Sequence, residues 1–393
     1  MVQPVLFQHN SILDLSLEEL QELIRSMDVP AFRARQIYQW IYQGLVYDFT
    51  QMNNLPKSLR DRLHVSEMIL PLTPIRVDYS DNKLTRKVIF RLQDGNAVES
   101  VLMVYPERHD SKGRRTICVS TQAGCGMGCA FCATGREGLV RNLASGEIVG
   151  QVLFFAKQLM QESLGPVTNV VLMGQGEPFA NARNVWKAVE TLNSPYGFSL
   201  GARHFTISTV GIVPQIKELT NRRLQVGLAV SLHAPDNALR DELVPINKRY
   251  PIEQLVAACK EYTAATNRRV TFEYALIDNV NDSREQARAL AGLLKGMLCH
   301  VNLIPLNAIE GSEFSPSSRD RALAFQAELN RRRIVATMRT GRGAHIDAAC
   351  GQLKARTVGS TGIEANAASG LLVAATNPNG HEDPVDQLAH LLK

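Results

Sequence analysis

The sequence lacks the segments that would place a chain in or across a membrane. No apolar run approaches the roughly 20 residues that span a bilayer. The start of the chain, Met1 to His9, has neither the basic region nor the apolar core of a secretory signal. A strong charge of one sign is also missing, because the net charge is only +5 over 393 residues. We therefore expect a cytoplasmic protein with no membrane partner, and the mildly basic balance permits a nucleic-acid partner without requiring one.

The sequence also lacks the even number of spaced cysteines that is typical of a disulfide framework. The chain has 7 cysteines, an odd number, and three of them lie close together. The others stand singly: Cys118, Cys259, Cys299 and Cys350. This usage indicates thiol or metal chemistry. The hydrophobic content of 45% indicates a globular protein with a substantial core, and the length suits about two to three domains.

The clustered cysteines, Cys125, Cys129 and Cys132, have the spacing C-x3-C-x2-C. Three thiolates this close can bind one face of a cubane iron–sulfur cluster, which leaves one iron without a protein ligand. A small molecule can bind at an open iron and receive an electron there. A structural zinc site is the alternative, because the spacing of Cys129 and Cys132 is common at zinc. A closed zinc site needs a fourth ligand, and no second cysteine pair follows.

Residues 1–75 are predicted to form a small helical domain. Ser16 and Glu19 form a capping box before an amphipathic run, Pro30 suits the first turn of a second helix, and a third helix starts within residues 53–63. The basic outer faces of this domain suit either packing against the main domain or contact with a nucleic acid. Residues 76–104 are predicted to form a linking β-hairpin around a Gln-Asp-Gly-Asn turn.

Residues 105–356 alternate short apolar runs with helical stretches. The predicted strands are 116–120, 169–173, 204–208, 226–232, 270–277, 301–306 and 334–338. The predicted helices are 145–163, 181–193, 212–222, 252–266, 283–297 and 318–333. The repeated strand–helix units favour an α/β fold with a parallel sheet, a partial (β/α)6 barrel. The tail, residues 357–393, is rich in Ala, Gly, Ser and Asn, and we expect it to be flexible.

Polar clusters follow the predicted strands, at the ends where parallel α/β folds place their active sites. The cysteine run follows the first strand and Gly174-Gln-Gly-Glu-Pro178 follows the second. Further clusters are Ser208, Ser231-Leu232-His233 and Asn307. Each has a structural alternative: a tight glycine turn, a serine cap, a satisfied buried histidine or an Asx turn. Their shared position makes them candidate ligand contacts.

Further motifs follow one another along the chain between about residues 15 and 356. They are Trp40-Ile-Tyr42, Met52-Asn-Asn-Leu-Pro56, Ala97-Val-Glu99-Ser100, Ile117-Cys118-Val-Ser-Thr-Gln122 and Ile346-Asp-Ala-Ala-Cys350-Gly-Gln-Leu353. Together with the cysteine run and the clusters above, they resemble the RlmN/Cfr family of radical S-adenosylmethionine (SAM) RNA methyltransferases, and its RlmN branch most. Gln175 stands where the family often has methionine, while the adjacent glycines and Glu177 are intact. The tail beyond Arg356 has no part in the resemblance.

The resemblance implies both cofactors and substrate. It implies one [4Fe-4S] cluster on the three clustered cysteines and two SAM molecules per turnover. The implied SAM contacts are Gly176, Glu177, Ser208, Ser231, Leu232, His233 and Asn307, with the Glu177 carboxylate on the SAM ammonium. It implies methylation of carbon 2 of an adenine in 23S rRNA near the peptidyl-transferase centre, and in tRNA beside the anticodon. That carbon is electron-poor, so a carbon radical adds to it where polar methyl transfer would fail.

The resemblance also implies the catalytic residues. Cys350 would accept a methyl group from SAM, and Cys118 would later attack its sulfur, which releases methylated RNA and leaves a disulfide. Glu99 would remove the ring proton. Arg339 and Arg342, near Cys350 in the sequence, are the predicted RNA contacts. The implied partners are 23S rRNA, tRNA and an electron-donating reductase or flavodoxin-like protein.

Two other functions remain open at this point. A Cfr-type enzyme would methylate carbon 8 of the same adenine and confer antibiotic resistance, and it would share the cysteines and SAM motifs. A zinc-stabilised RNA-binding protein without catalysis is the alternative from another class.

Overall fold

The N-terminal region is helical. The computed structural model describes residues 9–107, 112–222, 224–307, 309, 311–339 and 343–353. The first helices are α1 (Leu17–Ser26), α2 (Phe32–Tyr38), which continues as a π-helical turn, and α3 (Lys57–Ser66). The predicted capping box is confirmed: Glu19 N donates to Ser16 Oγ at 3.2 Å, and Ser16 N donates to the Glu19 carboxylate at 2.6 Å.

Three antiparallel strands follow: β1 (Leu72–Tyr79), β2 (Thr85–Leu92) and β3 (Ala97–Tyr105). The predicted hairpin is β2–β3, whereas β1 was not predicted. The expected boundary between the helical region (1–75) and the hairpin region (76–104) falls inside β1. Pro74 explains why β1 was not predicted, because proline has no backbone N–H to donate to a neighbouring strand and therefore argues against a strand. The structure accommodates it at the edge of the sheet, next to a register shift between Pro74 and Arg76.

The main sheet continues with seven parallel strands. They are β4 (Arg114–Cys118), β7 (Asn169–Leu172), β8 (Phe205–Thr209), β9 (Gly227–Ser231), β10 (Val270–Leu276), β11 (Cys299–Pro305) and β12 (Ala336–Met338). The order is β1-β2-β3-β4-β7-β8-β9-β10-β11-β12, and β3 pairs antiparallel with β4. All seven predicted parallel strands are confirmed to within two residues at each end. Within the described residues the first and last strands do not pair, so the sheet is open.

Helices connect these strands. They are α5 (Ser145–Gln161), α6 (Ala182–Asn193), α7 (Val213–Asn221), α9 (Ile252–Thr266), α10 (Arg284–Leu293) and α11 (Arg319–Arg331), and each was predicted. Besides β1, four short elements were not predicted. Two are β5 (Gln122–Gly124) and β6 (Leu139–Asn142), which form a separate two-stranded sheet, and the others are α4 (Ala133–Glu137) and α8 (Asn237–Leu243). No helix in the described ranges is long and apolar enough to cross a membrane. The tail (residues 357–393) and Arg342 lie outside the described residues.

The two faces of β3 point to different surroundings because side chains alternate along a strand. Val98 and Leu102 belong to the main hydrophobic core. Val101 and Met103, on the opposite face, pack with Cys118 in a second cluster. This second face carries the residues of the site.

Candidate active site

The cysteine-rich loop runs from β5 to α4 and is held in place by backbone contacts. Gly124 has a φ of +72°, and a Cβ there would lie 2.1 Å from the Gly138 carbonyl oxygen, so only glycine fits this approach. Cys125 N donates to the same oxygen at 2.7 Å, and Cys132 N donates to Cys129 O at 3.1 Å. Cys132 is also the residue that precedes α4. The loop therefore holds its three thiols in a fixed backbone conformation.

Burial raises the pKa of all three thiols, to about 11 for Cys125. Cys132 raises the pKa of Cys125 and Cys129 further, and Cys350 raises that of Cys132. Thiolates here are unfavourable unless a cation compensates them, which is the situation of sulfur ligands that bind a metal. Within the described ranges, no three His, Cys, Asp or Glu side chains are placed to hold one metal ion. A mononuclear zinc site needs such convergence. A cubane cluster presents a separate iron to each sulfur, so the donor set fits it better.

The loop after β7 packs tightly against the start of the cysteine-rich segment. A Cβ on Gly174 would lie 2.7 Å from Val119 O, and one on Gly176, whose φ is +95°, would lie 2.5 Å from Gln122 Cβ. Packing between the two loops therefore by itself requires glycine at both positions. The Glu177 carboxylate is buried and accepts hydrogen bonds from Phe179 N at 3.0 Å and Val210 N at 2.8 Å. Burial nevertheless raises the pKa of Glu177 to about 7.

One cavity lies at the carboxyl ends of the parallel strands and gathers most of the predicted SAM contacts. Its lining includes Cys129 and Cys132, and also Gly176, Glu177, Ser208, Ser231, His233 and Asn307. Leu232 is the exception: its side chain is fully buried in the hydrophobic core, and it is not part of the lining. Cysteines that could hold a cluster therefore share a cavity with polar groups that could hold its ligand.

His233 is both a satisfied buried histidine and a lining residue of this cavity. Its Nδ1 accepts a hydrogen bond from Ala275 N at 2.9 Å, which assigns the proton of the neutral ring to Nε2. Burial, with a smaller contribution from Arg240, lowers the pKa of His233 to about 3. The rings of Phe131 and His233 pack in an edge-to-face arrangement at a centroid distance of 4.6 Å. His233 is therefore a neutral group of fixed orientation.

Arg240 is a structural residue of the site that the sequence analysis missed. It is fully buried and donates to Leu232 O and Ser231 O at 3.0 Å each and to Val210 O at 2.6 Å. Burial lowers its pKa to about 10. These bonds join the segments that follow β8 and β9. An arginine on a short helix carries no sequence signal of such a role.

A second cavity adjoins the first and brings Cys118 and Cys350 together. Both thiols line it, and Cys350, Asn307 and Arg339 line both cavities. Burial raises the pKa of Cys118 to about 12, and the nearby Cys350 raises it further against the opposing effect of Arg339. Asn307 Nδ2 donates to Cys350 O at 3.0 Å.

Arg339 lines the first cavity and the cavity that contains the two cysteines. The proximity of Cys350, followed by that of Glu273, raises its pKa. Glu273 is buried in the first cavity and accepts a hydrogen bond from Asn302 Nδ2 at 2.8 Å. Arg339 therefore supplies positive charge next to the thiols, while the predicted RNA contact Arg342 falls outside the described residues.

Glu99 lines a third cavity. It is buried on β3, on the same face as Val101, which is the residue directly opposite Cys118 in the sheet. The segment 343–353, which carries Cys350, contributes Asp347 and Gln352 to this cavity. Glu99 and Cys350 therefore line different cavities, and the segment 343–353 contributes residues to all three.

The backbone of Glu99 is connected to the loop after β7. Ser120 Oγ donates to Glu99 O at 2.6 Å, and Glu99 N donates to Gln175 Oε1 at 3.1 Å. Gln175, the residue that departs from the family pattern, is fully buried. Its side chain thus supports the strand that carries Glu99.

Comparisons with known proteins agree with this geometry. Residues 10–69 match the family model "Ribosomal RNA large subunit methyltransferase N-terminal domain", and residues 119–291 match "Radical SAM superfamily". A "Probable dual-specificity RNA methyltransferase RlmN" of Chloroflexus aurantiacus is 50% identical over 89% of this chain and 94% of its own length. A protein of the same name from Caldanaerobacter subterraneus is 45% identical over 88% of this chain and 97% of its own.

A solved structure is similar over nearly the whole fold. The crystal structure of a radical SAM methyltransferase from Sphaerobacter thermophilus has a TM-score of 0.85 and 48% identity, covering 88% of this chain and all of that one. The family implies SAM and a [4Fe-4S] cluster as cofactors. The resemblance and the fold predicted from the sequence are thereby confirmed: the chain belongs to the RlmN family of radical SAM RNA methyltransferases.

Proposed function

We propose that this chain methylates carbon 2 of an adenine in 23S rRNA near the peptidyl-transferase centre, and of the adenine beside the anticodon in tRNA. The reaction takes place in the cytoplasm and passes through a methyl-cysteine at Cys350. The observation that carries the proposal is the position of Cys350, which lines both the cavity with two of the clustered cysteines and the cavity with Cys118. The Cys350 thiol can therefore take part both in a reaction beside the clustered cysteines and in a reaction with Cys118.

Cys125, Cys129 and Cys132 would hold one [4Fe-4S] cluster, and the polar lining of the first cavity would hold SAM. Glu177 offers its carboxylate to the ammonium group, and neutral His233 keeps an N–H donor there. A bound cluster would supply the electron for reductive cleavage of SAM, and the radical chemistry that follows would remove a hydrogen atom from the methyl group on Cys350.

Cys350 receives its methyl group from a first SAM by displacement: a carbon–sulfur bond forms at Cys350, and S-adenosylhomocysteine leaves. After hydrogen abstraction its methylene carbon bonds to carbon 2 of the adenine, and Glu99 takes the proton from that carbon. Cys118 then attacks the sulfur of Cys350, and the released carbon takes up a proton to become the product methyl. Oxidation of the Cys118 and Cys350 sulfurs to the disulfide releases two electrons: one leaves with the hydrogen atom removed from the methyl group, and the other would return to the cluster in place of the electron given to the second SAM. A thiol reductant restores the dithiol.

Product analysis tests the proposal. Anaerobically reconstituted enzyme, two SAM equivalents, a low-potential flavodoxin or reductase and either RNA should yield 2-methyladenosine by mass analysis of nucleosides. Cys350→Ala should yield none, although its cluster loads with about four irons per chain. If 8-methyladenosine is the main product, the Cfr-type function replaces this one. Stoichiometric zinc in place of iron would contradict both.

A further inference from the structure

Lys87 is a buried cation at the point where β2 and β3 meet the segment that carries Cys350. Its Nζ lies 3.4 Å from Glu99 Oε1 and 3.8 Å from Asp78 Oδ2. It also donates to the backbone oxygen of Asp347 at 3.5 Å, the long end of the hydrogen-bond range. Lysine is almost never buried without partners, so these contacts account for its position.

The sheet brings the charges around Lys87 into register. Asp78 on β1 is directly opposite Lys87 on β2. Glu99 on β3 lies two residue pairs further along, which places it on the same face of the sheet. Arg76 Nε contacts Asp78 Oδ1 at 2.8 Å. The carboxylates of Asp78 and Glu99 are therefore matched by two cations, Arg76 and Lys87. We name residues 343–353 the Cys350 loop, and Lys87 is the cation of the two that also contacts it.

The two halves of the Cys350 loop are held differently. Thr134 Oγ1 donates to Leu353 O at 2.6 Å, Ala133 N to Gly351 O at 2.8 Å, and Asn307 Nδ2 to Cys350 O at 3.0 Å. These bonds hold the second half. Lys87 reaches the first half at Asp347, whose φ of +51° lies in the left-handed region that few non-glycine residues adopt.

We propose that Lys87 is a positioning residue for the reaction: it orients the Glu99 carboxylate and tethers the first half of the Cys350 loop through Asp347. The two groups that act on one adenine carbon, the Cys350 sulfur substituent and the Glu99 carboxylate, thereby keep a set distance although they line different cavities. This inference rests on the proposed function for Glu99 and Cys350. The tether itself does not depend on the chemistry.

Hydrogen exchange and kinetics of Lys87→Met in the full-length holoenzyme test the tether. This change keeps the apolar stem and removes the ammonium, and backbone amides in residues 343–353 should exchange roughly five- to tenfold faster. In methylation assays kcat should fall about tenfold while KM for RNA stays within about twofold, because misplaced groups slow chemistry more than binding. Lys87→Arg retains a cation and should restore most of both. The matched control is Lys217→Met, since Lys217 pairs with Glu261 on the helical exterior, its side chain 55% exposed.

The outcomes separate this inference from the proposed function. Unchanged loop exchange and kcat in folded Lys87→Met would overturn the tether even if wild-type enzyme makes 2-methyladenosine. A different product with faster loop exchange would remove the proposed function while leaving the tether intact. If Lys87→Met fails to fold, Lys87→Arg decides: exchange in its loop as slow as in wild type supports the tether, and fast exchange contradicts it.

Discussion

Replacing Cys118 with alanine should leave the enzyme covalently joined to its RNA through Cys350. The structure supports this because Cys118 and Cys350 line one cavity and the Cys118 side chain is only 8% exposed. An external thiol cannot easily take the place of a buried one. The linked species should therefore accumulate to nearly one RNA per active enzyme.

The lifetime of this species can be worked out from the position of Cys118. A neighbouring group acts at an effective concentration of at least about 10⁵ M, against about 10 mM for an added thiol, an advantage of about 10⁷. Burial opposes it, because a pKa of about 12 leaves roughly one thiol in 10⁴ ionised near pH 8. An ordinary thiol would be about a quarter ionised there, so the opposing factor is about 10³ to 10⁴. The linked species should therefore last at least about 10³-fold longer than in wild type.

Denaturing gels with labelled RNA, after single turnovers, measure this lifetime. The same pKa sets a pH dependence in wild type: the thiolate is the reactive form and burial disfavours it, so release should speed up about tenfold per pH unit from pH ~7 to ~10. Cys259→Ala is the matched control, because Cys259 is fully buried on α9 and does not line either cysteine cavity. Rapid release from Cys118→Ala, or equal trapping by Cys259→Ala, would refute the resolving role.

Three further changes test other parts of the site. In urea titrations, Gly176→Ala should lower the free energy of unfolding by roughly 2–5 kcal/mol, because the positive φ and a 2.5 Å contact both penalise a Cβ. The control Gly95→Ala has a positive φ but open space around it, so it should lower the free energy of unfolding by only about 1–2 kcal/mol. Arg240→Met should lower the free energy of unfolding by at least about 3 kcal/mol, because several buried acceptors lose their donor. The surface change Arg203→Met should alter it by no more than about 0.5 kcal/mol. Similar losses in the two variants would contradict the role given to Arg240. Glu99→Gln should slow 2-methyladenosine formation roughly 10²- to 10⁴-fold while 5′-deoxyadenosine still forms, and normal turnover in a chromatographic assay would exclude Glu99 as the base.

The sequence alone determined the features that depend on near neighbours. The capping box of α1, the β2–β3 turn and all seven parallel strands follow from local patterns of apolar and turn residues. The cysteine spacing predicted the donor set, and the strand-end rule placed Glu177, Ser208 and Asn307 at one cavity. Local patterns suffice for these features because each is specified by residues a few positions apart.

Only the tertiary structure decided which distant groups meet. β1 was missed because Pro74 argues against a strand until the sheet edge is known. Lys87 meets Asp347 across 260 positions, and Arg240 meets backbone oxygens up to 30 positions away. Leu232 was assigned to SAM by its motif, yet its side chain turns into the core. Burial, partner identity and the separation of the Glu99 cavity from the Cys118 cavity arise when the Cys350 loop packs against the sheet. No local pattern encodes them because the contacting residues are remote in the chain.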